Sequence, residues 1–95
     1  MDRRIKMLLL WLNKQGIEVN CETKSYYIEK FDSIITSYIL KFWYKGKRIN
    51  KTTKEEEQYN YCKVVTPKNM MYTIKYLVAV KDNKVKAGES YEEEN

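Results

Sequence analysis

Eight side chains suited to gripping a polyanion fall within fourteen residues: Lys41, Trp43, Tyr44, Lys45, Lys47, Arg48, Lys51 and Lys54. Cations at this density neutralise phosphates. An exposed ring among them stacks on bases, worth roughly 1–3 kcal/mol per base on single strands. With the two-residue period of a strand, Lys41, Trp43 and Lys45 share one face. Lys63 and Lys75 extend the patch if their segments are neighbouring strands that turn the same way. The same residues support a plainer reading, with Trp43 in the core and the lysines as a solvated rim that keeps a sheet edge from pairing with other chains.

Other chemistries lack their residues. The chain has no histidine, which removes Ser-His-Asp and Cys-His catalysis and imidazole metal sites. Cys21 and Cys62 are too few for a zinc site within one chain. Three glycines, Gly16, Gly46 and Gly88, make neither a phosphate-cradling loop nor a dinucleotide fingerprint. Glu55, Glu56 and Glu57 are adjacent and solvated on a polar segment, whereas a metal-dependent nuclease needs acids converging from separate strands. No nucleophile–base pair stands out, so a non-enzymatic protein is expected, with no cofactor and no metal.

Charge is unevenly spread. The net charge is +5, but Glu89, Glu92, Glu93 and Glu94 sit in the last seven residues, which hold no base. Residues 1–88 therefore carry all 18 bases against nine acids, a net of +9. Such a body attracts nucleic acid, an anionic surface or an acidic protein, unless the lysines are merely solvated. Residues 1–88 read as a single small domain and 89–95 as an acidic disordered tail. Two cysteines and no secretory signal suggest a reduced, cytoplasmic setting with structural thiols; a single Cys21–Cys62 bridge is the alternative. Met7 to Leu12 is too short an apolar run to span a membrane.

The elements that must hold these residues follow from periodicity. Asp2 to Gln15 reads as a helix, capped by Asp2 and ended by Gly16. Met1, Ile5, Leu8, Leu9 and Leu12 make its core stripe. Met7, Leu10 and Trp11 lie off that stripe and offer a dimer or partner face, or Trp11 lies across a sheet edge. Ile17 to Asn20 reads as a short strand, 21–24 as a turn and Ser25 to Phe31 as another strand. Asp32 to Lys51 fits helix or strand; its Ile, Thr and aromatic content favours strand, turning at Lys45-Gly46-Lys47-Arg48. On that reading Ile34, Tyr38, Leu40, Phe42 and Tyr44 face the core. Tyr59 to Val65 is a strand. Met70 to Lys81 alternates without a break and reads as a central strand. The expected fold is α+β: an N-terminal helix packed on an antiparallel β-meander of four or five strands.

These features point to a small binding protein that acts on nucleic acid or a nucleoprotein. The hairpin carrying Lys41, Trp43, Lys45, Lys47, Arg48 and Lys51 would be its binding surface, without membrane contact. A second class stays open. Short Tyr- and Lys-rich, histidine-free chains with acidic tails are common among accessory proteins of viruses and mobile elements, many of which inhibit a host nucleic-acid-handling enzyme by protein–protein contact.

Overall fold

A computed structural model describes residues 2–90. Helix α1 runs Arg3–Lys14, opened by Asp2, whose carboxylate accepts from the Arg4 backbone N–H at 2.8 Å. It ends at Gly16, which takes a φ of 87°. The Gly16 and Ile17 N–H groups then reach back to the carbonyls of Asn13 and Leu12, closing a Schellman cap. Ile5 and Leu12 are fully buried and Leu8 and Leu9 pack beside them, as the stripe predicts for these four; its fifth member, Met1, lies outside the described residues.

Three antiparallel strands follow: β1 (Glu18–Ile28), β2 (Ser33–Ile49) and β3 (Glu56–Val65), in spatial order β1-β2-β3. β1 is continuous where a strand, a turn and a second strand were expected. The first hairpin closes through the short 3-10 turn Glu29–Phe31 and Asp32, whose φ of 45° is left-handed. The stretch Asp32 to Lys51 is strand, not helix, but it does not turn at Lys45–Arg48. β2 runs straight through Gly46, and the reversal comes at residues 50–55, where the Asn50 side chain accepts from the N–H groups of Thr52 and Thr53.

Met70 to Lys81 is helix α2, not a strand, which lowers the strand count among the described residues to three. The alternation there is coincidental. Asn69 caps the segment by accepting from Tyr72 N–H at 3.1 Å, and Thr73 Oγ1 donates to the Asn69 carbonyl at 2.9 Å. Thr73, Tyr76, Leu77 and Val80 are buried at helical spacing. Asn83, with a φ of 58°, closes a second Schellman cap, its N–H donating to the Val80 carbonyl and the Lys84 N–H to the Ala79 carbonyl.

Both helices lie on one face of the sheet. The core is Ile5, Leu12, Val19, Leu40, Phe42, Tyr76, Leu77 and Val80, with Phe42 edge-on to Tyr76 at 5.9 Å. Cys21 stands opposite Leu40 on this face, while Cys62 stands opposite Trp43 on the other, so the two thiols are free and face away from each other.

β2 is far longer than the layer that covers it. Its 17 residues extend roughly 56 Å, against about 18 Å for either 12-residue helix. β1 pairs with Ser33–Trp43 and β3 with Leu40–Ile49, so the sheet is three strands wide only at 40–43. Two-stranded wings leave this centre in opposite directions, giving a long axis of 57 Å. The expected face Ile34, Tyr38, Leu40, Phe42 and Tyr44 exists, but Ile34 is 69% exposed because no helix reaches it.

The chain after α2 returns to the sheet. Tyr76 O–H donates to the Glu89 carbonyl at 2.6 Å and accepts from Gly88 N–H at 3.1 Å. The acidic segment's residues 91–95 lie outside the described residues. No helix among the described residues is long and apolar enough to cross a membrane.

Leu40→Ala should cost roughly 2–5 kcal/mol in urea denaturation, whereas Ile34→Ala on the same strand face should cost less than about 1 kcal/mol. Alkaline pH gives a second test. Burial, aided by Tyr44 and Glu89, pushes the Tyr76 hydroxyl up to about 12 from its ordinary 10, against the opposing Gly88 N–H bond. The folded state therefore holds this proton more tightly, so the contribution is intact below pH 10 and is lost as pH rises through about 12. The urea midpoint should fall across that window, and Tyr76→Phe should flatten part of the fall.

Candidate nucleic-acid interface

The β2–β3 wing carries most of the residues singled out in the sequence, on two faces rather than one. Pairing is in register from Leu40↔Val65 to Ile49↔Glu56, which sets every side chain's direction. Lys41, Trp43, Lys45 and Lys47 line the face away from the helices, spaced about 6.7 Å apart along the strand. Arg48 points to the helix side, and Lys51 sits in the exposed turn at the tip.

Several of these cations have acidic neighbours. Lys41 is half-buried and bonds Glu22 at 3.0 Å across β1. Lys47 lies 3.9 Å from Glu56, and Arg48 bonds Glu57 at 2.8 Å. The run Glu55-Glu56-Glu57 is thus split by the pleat, with Glu56 and Glu57 serving opposite faces. Exposed pairs of this kind contribute about 0–1 kcal/mol, so a phosphate can compete for the cation. Among the described residues no ion pair engages Lys45 or Lys51. No group of three or more Cys, Asp or Glu among the described residues is placed to hold a metal ion.

Trp43 is 41% exposed and stands between Glu18 and Cys62 on the uncovered face. It is therefore a surface ring, not a core one. Lys63 and Lys75 do not extend its patch: Lys63 stands opposite Phe42 on the helix side, and Lys75 is on α2.

The helix side of the wing holds a feature that local pattern misses. Tyr44 and Tyr61 are directly opposed and stack with centroids 5.3 Å apart and planes 16° from parallel. Tyr59, two residues from Tyr61, continues the row at 5.7 Å. A cation closes each end: Lys63 Nζ lies 5.6 Å from the Tyr44 ring and the Arg48 guanidinium 5.3 Å from the Tyr59 ring. The inner end is anchored, because Tyr44 O–H donates to the Ala87 carbonyl and burial raises the hydroxyl's pKa. The outer rings, Tyr59 and Tyr61, remain more than one-third open to solvent. Tyr59 and Tyr61 are visible in the sequence only as two tyrosines on one strand face. Their junction with Tyr44 requires the β2–β3 register.

Gly46 makes room for this ladder. It is paired with Tyr59, and a Cβ there would stand 2.8 Å from Tyr59 Cε1 and Cζ. The ring covers the glycine, a cross-strand arrangement that supports glycine within sheets.

Met7, Leu10 and Trp11 are exposed on α1, at 60%, 52% and 39%, and Lys81 Nζ of α2 lies 5.2 Å from the Trp11 ring. They belong to the helix layer and do not join the β2–β3 surface.

Comparison with protein families, with curated proteins and with solved structures yields no match to this chain.

Gly46→Ala should push the Tyr59 ring out of the ladder. Because the displaced atoms are the mobile end of a surface side chain, the stability loss should stay below about 1 kcal/mol. Ring-proton NMR shifts of Tyr59 and Tyr61 should move while the urea midpoint changes little.

Proposed function

We propose that this protein binds single-stranded nucleic acid through the β2–β3 wing. The observation that carries the reading is the Tyr44–Tyr61–Tyr59 ladder with a cation at each end, on a strand pair whose other face bears Trp43, Lys45 and Lys47. Open rings provide π-faces for unpaired bases, and the flanking cations track the phosphates. The two faces of a narrow ribbon let a strand contact rings on one side while its backbone passes the lysines on the other or at the Lys51 tip.

A second reading is protein contact with a nucleic-acid-handling enzyme. It draws on the ion pairs that offset Lys41, Lys47 and Arg48, and on Trp43 standing in an uncovered sheet face, since Trp is a preferred interface anchor.

Fluorescence anisotropy with labelled single-stranded oligonucleotides tests the first reading. Affinity should fall steeply with salt, with a log–log slope near −0.7 per phosphate neutralised. Tyr61→Ala should weaken binding by roughly 5- to 150-fold, the equivalent of 1–3 kcal/mol. The combined Lys45→Glu, Lys47→Glu and Arg48→Glu reversal should abolish it. No binding, or binding indifferent to salt, rejects the nucleic-acid reading. Recovery of a stable protein complex from nuclease-treated lysate would then favour the second.

A further inference from the structure

The β1–β2 wing is built for a different occupant. β3 stops at Val65, and Thr66-Pro67 leads the chain away to α2; Pro67 has no N–H to continue a ladder. The edge of β2 from Ser33 to Ile39 is therefore paired on its β1 side only; no strand among the described residues covers the other. Beyond the helices this wing is a two-stranded ribbon with apolar side chains on both faces. Tyr27 and Ile34 are 63% and 69% exposed on one face, and Tyr26 and Ile35 are 52% and 49% exposed on the other. A two-stranded ribbon is marginal in water, and an open apolar edge is a template for another strand.

We infer that this edge pairs with the same edge of a second copy, antiparallel about Thr36, to form a two-fold dimer. Three features single out the occupant as another copy of this chain. First, Ser33–Ile39 (SIITSYI) contains no charge and no proline, so self-pairing opposes no like charges. Centred on Thr36, it sets Ile34 against Tyr38 and Ile35 against Ser37 of the second copy, and keeps matching faces together.

Second, the other vacant half-edge of β2, Tyr44–Ile49, carries Lys45, Lys47 and Arg48. Self-pairing about Gly46 would set Lys45 directly against Lys47 twice, a repulsive arrangement. Charge thus protects one half-edge from a second copy and leaves the other free for it.

Third, the geometry clears the helices. Phe42, at the core, is six residues from Thr36, about 20 Å along the strand. The two helix layers would stand on the same side of the joined sheet, roughly 40 Å apart between centres. The joined wings would form a four-stranded sheet, β1-β2-β2-β1, with the basic β2–β3 wings pointing outward at its two ends. This interface is separate from the α1 face of Met7, Leu10 and Trp11.

Sedimentation equilibrium and site-specific crosslinking of the full chain test the inference. The protein should sediment as a dimer in the micromolar range. Ile34→Lys with Ile35→Lys should weaken dimerisation at least tenfold while leaving far-UV circular dichroism unchanged, since both positions are exposed. Met7→Lys with Leu10→Lys should leave the dimer intact. In a Cys21→Ala, Cys62→Ala background, Thr36→Cys should form an intermolecular disulfide under mild oxidation, because residues on the dyad bring Cα atoms within disulfide range. Ile34→Cys, which faces Tyr38 instead of itself, should crosslink far more slowly. A monomer at all concentrations, dissociation by the α1 variant alone, or equal crosslinking at positions 34 and 36 would overturn the dimer. Monomeric protein whose β1–β2 wing instead binds phospholipid vesicles would overturn it equally. Because neither readout involves nucleic acid, the result stands apart from the outcome of the oligonucleotide experiments.

Discussion

The mismatch in length between β2 and the two helices controls the molecule. A 17-residue strand reaches three times as far as a 12-residue helix, since strands rise about 3.3 Å per residue and helices 1.5 Å. The helices can bury only the middle of the sheet, where Leu40, Phe42 and Val19 meet Ile5, Leu12, Tyr76 and Leu77. Everything distal to that middle is held by strand pairing and by contacts between neighbouring side chains. The stagger of β1 against β3 then decides that the two ends project separately.

The wings differ in chemistry because their side chains differ, not their architecture. On the β2–β3 wing the cross-strand partners are ring against ring and cation against carboxylate, and the rings are bracketed by Lys63 and Arg48. On the β1–β2 wing they are Tyr27 against Ile34 and Tyr26 against Ile35, with Ser25 and Thr36 hydroxyls bonded at 3.2 Å. One wing offers charge and stacking surface; the other offers apolar surface and an uncharged backbone edge. A single strand, β2, contributes to both, and its sequence changes from uncharged to basic as it crosses the core.

Much of the local structure is legible in order along the chain. The first helix, its caps and its buried stripe follow from Asp2, Gly16 and the spacing of Ile5 and Leu12. The strand nature of Asp32 to Lys51 follows from its β-branched and aromatic content. The failures have physical causes. Met70–Lys81 alternates perfectly, but Asn69 and Thr73 satisfy the first-turn backbone and side-chain groups of a helix, and Pro67 interrupts any ladder continuing from Val65. Gly46 marks a turn by composition, yet the Tyr59 ring fills the space beside it and keeps the strand running.

The amino-acid sequence by itself determined the charge of the body, the absence of imidazole chemistry, the identity of the first helix and the concentration of cations around Lys45. These are properties of composition and short-range spacing, where neighbours along the chain are also neighbours in space. Only the tertiary structure decided which face each cation takes, that Arg48 leaves the row of Lys41, Lys45 and Lys47, and that Tyr44 meets Tyr61 across a strand pair. Register and stagger are set jointly by segments up to 25 residues apart, as in the pairing of Leu40 with Val65. No local pattern in either segment encodes that sum, because it is fixed where the helices' limited reach places the core.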